Sequence, residues 1–492
     1  MSTEMTLNPE TRNLIAGRLV EAERGATFPN VNPATEETIG VTADGTRADM
    51  DRAIGAARRA FDETGWATNH SFRARCLRQL HDALVAAQEQ LRAIVVAEVG
   101  SPVSMTYTAQ CDGPISWVPY WADLAERYDY ETPMPDTEAM GIASRRVLRR
   151  EAAGVVGAIT PWNVPLLLNL CKVGPALAAG CTVVLKPAPD TPWCGTTLGR
   201  LIAEHTDIPA GVVNVVASSD HLLGEMLATD PRIDMVTFTG STATGRRVMA
   251  NAAGTVKKVF LELGGKSATI ILDDANLKAA LTAIGMICIH GGQGCAITTR
   301  LLLPRSRYEE GVELARKSFE RVAYGDPTNP ANIQGPQISE RQRQRVLGYI
   351  AKAQEQGARL VIGGKVPAHL PKGFYVEPTL FADVHPDSTL AQEEVFGPVL
   401  AAIPFEDDDD AVRIANNSIY GLSGAVTSAS EERALALARR IRTGTIAINT
   451  SMWYAVDTPF GGYRQSGVGR ENGVFGFEEY LETKVISLPA RR

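Results

Sequence analysis

Apolar and polar positions follow two different periods along this chain, and their alternation predicts its architecture. From Gly154 to Leu263, short apolar runs typical of buried strands alternate with segments of helical period. Such alternation over about 110 residues is typical of a doubly wound parallel sheet, which binds ligands beyond the carboxyl ends of its strands. The predicted strands are Gly154–Thr160, Thr182–Leu185, Val212–Val216, Met235–Phe238 and Val259–Leu263, and the predicted helices are Leu166–Ala179, Thr191–His205, His221–Thr229 and Ala243–Ala253.

A second alternating stretch, from Ala268 to about Asn449, predicts another α/β unit with its own sheet. The boundary between the two units is expected near Gly264-Gly265. Upstream of both units, Ala53–Phe61 and Arg75–Val99 have the helical period, with apolar residues near one face. The second unit has predicted strands at Thr269–Leu272, Thr299–Leu303, Val399–Pro404 and Thr445–Asn449, and charged helices at Arg307–Tyr324, Glu340–Gln356 and Ser430–Arg440.

Length, charge and cysteine content narrow the classes of protein that fit. The 492 residues predict two or three domains, and a net charge of −7 gives no overall attraction to nucleic acid or to anionic membranes. Seven cysteines without a Cys-x-x-Cys pair argue against a disulfide framework or a cysteine-rich zinc site. No apolar run reaches membrane-spanning length, and the first residues do not resemble a signal peptide. We therefore expect a cytoplasmic protein without a nucleic-acid partner, a membrane partner or a bound metal.

Two runs of like charge have structural explanations. Glu406–Asp410 precedes the helical segment Ala411–Asn416, and acidic residues suit the positive end of a helix dipole better than they indicate a metal. The arginines of Arg145–Arg150 predict a charged strand that is protected against stray pairing or that pairs in an oligomer, with a nucleic-acid patch as the less favoured alternative.

Cys295 is the first candidate for chemistry. It follows the apolar stretch Ile284–Ile289 and ends the segment Gly291-Gly292-Gln293-Gly294-Cys295. Glycine neighbours leave the sulfur approachable and the nearby amides unobstructed, as a thiolate nucleophile requires. A small buried cysteine is the alternative. We expect His290 to be a buried or turn histidine, because the glycine-rich chain between it and Cys295 does not favour a Cys–His dyad.

Other candidate groups lie where predicted strands end. Gly240 and Ser241 stand where a strand opens into a helix, whose free amides bind phosphate, although any tight turn also needs glycine. Lys186 follows the predicted strand Thr182–Leu185 and is either a ribose ligand or a surface lysine. Glu262 lies among apolar neighbours that would raise its pKa and make it a useful general base, unless its side chain points outward. The amide of Asn163 can donate to an oxyanion or belong to a turn.

Together, these segments resemble the aldehyde dehydrogenase superfamily. The motifs occur in that family's order and at its spacings, from about residue 28 to residue 485. They are Asn32-Pro33-Ala34-Thr35, Thr160-Pro161-Trp162-Asn163, Lys186-Pro187, Phe238–Gly245, Glu262–Lys266, Gly292-Gln293-Gly294-Cys295, Glu393–Pro398, Pro459-Phe460-Gly461-Gly462 and Ser466–Glu471.

The resemblance implies an α/β fold with three parts. These are a Rossmann-like doubly wound parallel sheet, a second α/β catalytic domain and a small β oligomerisation arm. The dinucleotide-binding domain would comprise residues 1–128 and 151–262, the catalytic domain residues 263–465, and the oligomerisation or bridging segments residues 129–150 and 466–492. Strands at Arg145–Arg150 and Val485–Leu488 would then build a homodimer or homotetramer.

The resemblance also implies oxidation of an aldehyde to its carboxylic acid by NAD(P)+, through a thiohemiacetal and a thioester on Cys295. Glu262 would be the general base, and Asn163 with the Cys295 backbone amide would form the oxyanion hole. Lys172 matches a lysine that the family places near the active site. The implied cofactor-binding residues are Ile159, Thr160, Pro161, Trp162, Lys186, Gly240, Ser241, Leu263, Gly264, Glu394 and Phe396.

This sequence departs from the family at the cofactor and substrate positions. Pro189 stands where NAD-preferring members often have Glu; Asp190 keeps negative charge nearby, so NAD+ is expected and NADP+ stays open. Side chains in the implied tunnel are small at two positions, and none is a cation, which favours apolar medium-chain, aromatic or terpenoid-like aldehydes. The tunnel residues are Val164, Leu168, Cys171, Gly294, Ala296, Tyr454 and Phe460.

Three rival classes can be weighed against the same residues. A thiol hydrolase would not need Phe238–Gly245 or Glu394. Intact Cys295, Glu262 and Asn163 argue against a non-catalytic protein that retains the fold. Glu262 favours release of the acyl group to water rather than to coenzyme A.

Overall fold

The computed structural model describes residues 7–490, so residues 1–6 and 491–492 lie outside the described residues. The expectation about a signal peptide concerned the first five residues and lies outside them too. The strands are β1 Asn13–Ile15, β2 Arg18–Val20, β3 Thr27–Val31, β4 Thr38–Ala43, β5 Glu131–Ala139, β6 Ile142–Ala152, β7 Val155–Ile159, β8 Thr182–Lys186, β9 Val213–Val215, β10 Met235–Thr239, β11 Lys258–Glu262, β12 Ala268–Ile271, β13 Arg300–Pro304, β14 Arg359–Ile362, β15 Thr379–Ala382, β16 Val399–Phe405, β17 Gly424–Thr427, β18 Ala447–Ile448, β19 Gly467–Val468 and β20 Leu481–Pro489.

The α-helices are α1 Arg47–Glu63, α2 His70–Ala86, α3 Gln88–Val99, α4 Val103–Thr106, α5 Asp112–Arg127, α6 Pro165–Ala179, α7 Pro192–His205, α8 Leu223–Thr229, α9 Thr242–Ala252, α10 Leu277–Leu281, α11 Tyr308–Phe319, α12 Glu340–Glu355, α13 Thr389–Gln392, α14 Asp408–Asn416, α15 Glu431–Ala438 and α16 Gly473–Glu478. Segments of 3-10 helix occupy Glu23–Gly25, Ala253–Thr255, Ile284–Gly292, Arg305–Arg307 and Arg464–Ser466.

The first sheet is built around the parallel strands β11-β10-β7-β8-β9, with β19 at one edge and β1-β2 at the other. Every residue of β8 and β10 is buried, and so is every residue of α6, which packs between the sheet and α5. Strands buried on both faces read as continuous apolar runs, which is the pattern that the sequence shows. The predicted doubly wound α/β fold is confirmed for this part of the chain.

Strand register brings the candidate residues to one edge of this sheet. Ile159 pairs with both Lys186 and Phe238, and Thr239 pairs with Glu262. All of these residues lie in the last two positions of parallel strands, so their side chains or the loops after them meet at the same carboxyl edge.

A second sheet has the order β14-β15-β16-β13-β12-β17-β18 and is parallel except for β14. The glycine pair Gly264-Gly265 lies between β11 of the first sheet and β12 of the second. A third sheet, β20-β6-β5, contains the charged strand Arg145–Arg150 at its centre, paired on both sides. The exact domain boundaries given above stay predictions.

A buried carboxylate from another helix binds the first backbone N–H groups of α7. Glu98, from α3, accepts hydrogen bonds from the backbone N–H groups of Trp193 and Cys194 at 2.9 and 2.8 Å and from the Asn30 side-chain amide at 2.9 Å. The first N–H groups of a helix have no partner within the helix, so Glu98 does the work of a capping residue from a distant part of the chain.

Two predicted elements differ in the structure, and one apolar stretch for which no element was predicted forms a helix. The helix over Arg75–Val99 is two helices, because Ala87 leaves helical geometry (φ −96°, ψ 7°) although the apolar period continues across it. The apolar stretch Ile284–Ile289 is 3-10 helix. The strand predicted at Thr445–Asn449 shortens to Ala447–Ile448 because it pairs on one side only, at the edge of the second sheet. The acidic run Glu406–Asp410 lies at the start of a helix, as predicted, but α14 begins within the run, at Asp408, and Asp407 caps it.

Candidate active site

Two joined cavities open at the carboxyl edge of the first sheet. One has a volume of about 470 Å³ and the other about 420 Å³, and both are lined by Pro161, Trp162, Thr239, Gly240 and Arg341. Cys295, Glu262 and Asn163 line the first cavity, so three of the four predicted catalytic groups meet there. Lys172, the fourth, is fully buried behind it.

All eleven predicted cofactor residues line one cavity or the other. The first cavity is lined by Pro161, Trp162, Gly240, Ser241, Leu263, Gly264, Glu394 and Phe396, and the second by Ile159, Thr160, Pro161, Trp162, Lys186 and Gly240. The residues that sequence reasoning missed here are Arg341, Gln342 and Arg345, from the first turns of α12. The only signal for them was the charge of the helix predicted at Glu340–Gln356.

The loop that carries Cys295 has an unusual backbone. His290, Gly291 and Gly292 have φ values of +54°, +66° and +71° in succession. A Cβ on Gly292 would lie 2.2 Å from the Gly397 carbonyl oxygen, so only glycine fits that position. The loop therefore reverses direction tightly and is packed against the segment that leads into β16.

Cys295 is the one partly exposed cysteine of the seven; the other six are buried. Burial of its sulfur, together with the carboxylates of Glu262, Glu394 and Glu471, raises the pKa of the Cys295 thiol far above its ordinary value. The protein alone therefore favours the neutral thiol, and a thiolate requires either a base that takes the proton or a positive charge brought into the cavity.

The amide of Asn163 is held beside the cysteine loop. Its Nδ2 donates to the Gln293 carbonyl oxygen at 3.0 Å, two residues before Cys295. Its own backbone oxygen accepts from His290 Nε2 at 2.8 Å and from Gln110 Nε2 at 2.9 Å. A side-chain NH2 has two hydrogens, so one remains for a ligand in the cavity.

Glu262 is 1% exposed, and neither of its carboxylate oxygens has a hydrogen-bond partner among the described residues. Burial and the nearby Glu471 raise the pKa of Glu262 well above its usual range, while Lys172 and Arg470 lower it. A buried carboxylate without a partner is destabilising unless water, a proton or a ligand satisfies it. Glu262 is thus a group ready to accept a proton.

A buried ion pair lies behind Glu262. Lys172 Nζ donates to Glu471 Oε1 at 3.2 Å and to Thr237 Oγ1 at 3.1 Å, and it lies 4.9 Å from the centre of the Phe260 ring. Sequence reasoning did not assign a role to Glu471, although it ends the quoted segment Ser466–Glu471. Strand β19 pairs with β11, with Gly467 opposite Glu262, and this pairing brings Glu471 close to Lys172.

The second cavity has groups suited to ribose and phosphate. Lys186 is 3% exposed at the end of β8, and its burial lowers its pKa to about 8 against the opposing effects of Asp220, Asp44 and Asp190. Ser241 caps α9, with its hydroxyl oxygen accepting from the Thr244 N–H at 3.2 Å. Ser241 itself lines the first cavity, but Thr244 in the first turn of α9 lines the second, so a cation and a helix N-terminus meet at the second cavity.

Glu394 and Phe396 close the first cavity from the second sheet's side. Glu394 Oε1 accepts from the Gly265 N–H at 2.9 Å, and burial raises the pKa of Glu394 to about 7. Phe396, with φ +59°, presents its ring to Trp162 edge to face at 5.4 Å between centroids. The two predicted ribose-binding and packing residues therefore face the same space as Trp162.

Of the seven predicted tunnel residues, only Leu168 lines the cavity beside Cys295. Cys171 is 2% exposed, with Sγ 3.6 Å from the Asn472 side-chain oxygen, so it offers no open wall there. Val164, Gly294, Ala296, Tyr454 and Phe460 also lie off that cavity.

Tyr454 and Phe460 belong to an aromatic cluster of Trp117, Trp453, Tyr454 and Phe460, with neighbouring ring centroids 5.3 to 5.6 Å apart. Burial above all, and the nearby Cys295 and Glu262 among other groups, raise the pKa of Tyr454 well above its usual range, so Tyr454 lies near the predicted catalytic groups. Sequence reasoning missed Trp117 and Trp453. The only signal for Trp453 was its position next to Tyr454, and there was none for Trp117.

Within residues 7–490, no group of three or more His, Cys, Asp or Glu side chains is arranged to hold a metal ion. No helix in that range combines the length and the apolarity needed to cross a membrane.

This fold and site define an α/β protein with a cysteine and a buried carboxylate on one deep cavity. The sequence pattern of the Aldehyde dehydrogenase family matches residues 19–486. The chain is 40% identical over 478 residues to a 3-succinoylsemialdehyde-pyridine dehydrogenase from Pseudomonas sp, covering 96% of this chain and 97% of that protein. It is also 40% identical over 460 residues to a geranial dehydrogenase from Castellaniella defragrans, covering 93% and 94%.

Among solved structures, a crystal structure of Mycobacterium tuberculosis aldehyde dehydrogenase complexed with NAD+ superposes with a TM-score of 0.94 at 41% identity, covering 98% of this chain and 99% of that one. The chain belongs to the aldehyde dehydrogenase family. The resemblance seen in the sequence is thereby confirmed, together with its fold class.

Proposed function

We propose that this protein oxidises an aldehyde to its carboxylic acid with NAD+ through a covalent thioester on Cys295. The observation that carries the proposal is the meeting of Cys295, Glu262 and Asn163 on one cavity that continues into the cavity of Lys186. A nucleophile, a base and an oxyanion donor around one space are the groups that acyl chemistry on a cysteine requires.

The cavities fit a dinucleotide. They adjoin and share five lining residues, and one of these, Thr239, has a buried hydroxyl without a hydrogen-bond partner among the described residues. Lys186 and the N-terminus of α9 would hold the adenosine ribose and the phosphates, and Glu394 would bind the second ribose. NAD+, when bound, supplies the hydride acceptor, and its crystallographic presence in the Mycobacterium tuberculosis relative supports this assignment.

The chain's own groups would perform the remaining steps. Glu262 takes the proton of the Cys295 thiol, and the sulfur attacks the carbonyl carbon. The free hydrogen of Asn163 Nδ2 and the Cys295 N–H then hold the oxyanion of the thiohemiacetal. Loss of hydride leaves a thioester, and Glu262, once it has released its first proton, takes a proton from the water that hydrolyses it.

The preference for NAD+ over NADP+ is supported by charge at the second cavity. Asp190 lines it beside Pro189, and its carboxylate would repel a 2′-phosphate. Lys186, His221 and Arg341 on the same cavity oppose that effect, so a side-by-side measurement with both cofactors is the direct test.

The substrate class that we propose is apolar: medium-chain, aromatic or terpenoid-like aldehydes. Leu168 and the aromatic cluster of Trp117, Trp453, Tyr454 and Phe460 support it. The names of the pyridine and geranial relatives point to aromatic and terpenoid substrates for those proteins. The four ring faces favour one second candidate, an aldehyde with a cationic head held by cation–π attraction.

The test is steady-state kinetics with NAD+ and NADP+ on a panel of short, carboxylated, aromatic, terpenoid and trimethylammonium aldehydes, beside Cys295→Ala. We expect the highest kcat/KM with NAD+ and an apolar aldehyde, and loss of turnover in the variant. Turnover that survives in Cys295→Ala would remove this residue from the mechanism. A preference for carboxylated substrates would refute the apolar tunnel, and failure to bind dinucleotide in a fluorescence titration would favour the thiol hydrolase.

Assembly is also proposed from the third sheet, β20-β6-β5. Ile142 and Val485 are exposed apolar residues on it, Met140 is exposed in the turn between β5 and β6, and exposed apolar groups suit burial between subunits. A homodimer or homotetramer is expected, measurable by light scattering. The absence of disulfides among the seven cysteines supports a reducing, cytoplasmic location.

A further inference from the structure

A closed ring of hydrogen bonds links the proposed oxyanion donor to the cysteine loop. His290 Nε2 lies 2.8 Å from the Asn163 carbonyl oxygen, Asn163 Nδ2 donates to the Gln293 carbonyl oxygen at 3.0 Å, and Gln293 Nε2 donates to the His290 carbonyl oxygen at 3.0 Å. Each of the three side chains thus donates to the backbone of the next. The ring ties the loop after β7 to the loop that ends at Cys295.

Only one arrangement of the imidazole protons closes this ring. The nearer partner of His290 Nε2, at 2.8 Å, is the Asn163 carbonyl oxygen, which only accepts, whereas Gln110 Nε2 is 3.5 Å away; Nε2 therefore carries the hydrogen. Nδ1 is buried and has no partner among the described residues, so a second proton there would be unsatisfied. Burial lowers the pKa of His290 to about 4, which keeps the imidazole neutral at neutral pH.

The backbone conformation of His290 also indicates that this residue is held in one fixed position. It is 3% exposed and adopts φ +54°, a region that non-glycine residues rarely occupy. Strained backbone persists where surrounding contacts determine it, and it clusters at active sites. The His290 N–H donates to Ile333 and its carbonyl accepts from Gln293, so both the backbone and the side chain of His290 are fixed.

We propose that His290 is a positioning residue: it holds Asn163 in register with Cys295, so that the free hydrogen of Asn163 Nδ2 points to the developing oxyanion. Gln110 assists, because its Nε2 donates to the same Asn163 carbonyl oxygen at 2.9 Å. The inference rests on the proposed function, since it concerns the donor that this function assigns to Asn163. It gives His290 a role in alignment without making it a base for Cys295.

A matched pair of variants separates alignment from stability. In His290→Gln, the amide nitrogen can occupy the place of the imidazole Nε2 and keep the bond to Asn163, although glutamine tolerates positive φ poorly. In His290→Asn, the backbone conformation is well tolerated, but the shorter side chain cannot reach. Alignment predicts a kcat about tenfold lower for His290→Asn and near wild type for His290→Gln, whereas a purely structural role predicts that activity follows the melting temperature.

A double-mutant cycle with Asn163→Ala tests whether His290 acts through Asn163. We expect His290→Asn to lower kcat about tenfold in the wild-type background and less than twofold in the Asn163→Ala background, with KM for NAD+ unchanged. Equal losses in both backgrounds, or an unchanged kcat in His290→Asn, would overturn the inference alone. An unchanged kcat in Asn163→Ala would overturn the proposed oxyanion role and the inference with it.

If His290→Asn does not fold, Gln110→Leu carries the same cycle. It removes the second donor to Asn163 and leaves the backbone of the cysteine loop untouched. A smaller loss in kcat, again absent in the Asn163→Ala background, supports the inference. A loss of the same size in both backgrounds contradicts it.

Discussion

Replacement of Lys172 by methionine is the sharpest test of how the protein controls its proposed base. Lys172 is the cation of a fully buried ion pair, with Nζ 3.2 Å from Glu471 Oε1. Methionine has similar length and no charge, so Lys172→Met leaves Glu471 without its partner beside Glu262, whose oxygens already lack hydrogen bonds among the described residues. Two carboxylates would then share a buried space without the lysine between them.

The size of the effect follows from Coulomb's law. At 3.2 Å and an effective dielectric constant of 20, the attraction between Lys172 and Glu471 is about 5 kcal/mol. Removing one member of a buried pair costs about 3–5 kcal/mol of stability, because the other charge stays buried. Lys172 also lowers the pKa of Glu262, so its removal raises that pKa further; one unit corresponds to about 1.4 kcal/mol.

The assay is the pH dependence of kcat, with thermal unfolding alongside. A general base acts in its ionised form, so in the proposed mechanism a higher pKa of Glu262 means a smaller active fraction at any pH on the acid side of the profile. We expect the acid limb to move up by about one unit or more in Lys172→Met, so that kcat falls about tenfold there and recovers as pH rises.

The control is the double variant Lys172→Met/Glu471→Gln, which removes both charges. It should regain stability, and its acid limb should return towards the wild-type position, because Glu471 no longer raises the pKa of Glu262. An unchanged acid limb in the single variant, or an equal displacement in the double variant, would refute the electrostatic account.

Other regions give further predictions. Lys186→Met should raise the Kd for NAD+ about tenfold or more in a fluorescence titration, since a hydrogen bond from a charged group contributes about 1.5–3 kcal/mol; an unchanged Kd would contradict its role. Gly461→Ala should lower kcat, because the new Cβ would lie 2.7 Å from Glu262 Oε1 and the backbone has φ +156°. The control is Gly254→Ala, whose Cβ meets nothing within 4 Å, and equal kcat values for the two variants would exclude the clash. Glu98→Ala should destabilise the fold by about 2 kcal/mol or more, measured by denaturant unfolding, because it strips the start of α7 of its acceptor; a midpoint equal to wild type would disprove that capping role.

The fold was predictable where the signal is local. The strands β7, β8 and β10 are fully or almost fully buried, so each is a continuous apolar run in the sequence. The apolar period did not reveal the break at Ala87, because α3 continues the buried face of α2 after one residue leaves helical geometry. Likewise, the apolar run Ile284–Ile289 does not distinguish an α-helix from the 3-10 helix that forms.

The residues of the candidate site likewise divide into those with a local sequence signal and those without one. Lys186 and Glu262 follow from their positions at strand ends, where doubly wound sheets bind ligands. Glu471 does not, because only the pairing of β19 with β11 brings it to Lys172, and no local pattern predicts a contact across 299 residues. Trp117 was missed for the same reason: it is on α5 and meets Tyr454 only through tertiary packing.

The two-residue strand β19 has a consequence for synthesis on the ribosome. Strands β7 to β11 can associate once about half the chain has emerged, but the edge position beside Glu262 stays empty until residues 467–468 arrive. Domains generally fold as they emerge, N-terminal part first. A nascent chain halted shortly before Gly467 would therefore hold most of its first sheet and bury much of its core, yet present Glu262 to water without Glu471. Premature termination there would therefore remove Glu471 from the proposed site, together with the core residues Phe477, Tyr480 and Leu481.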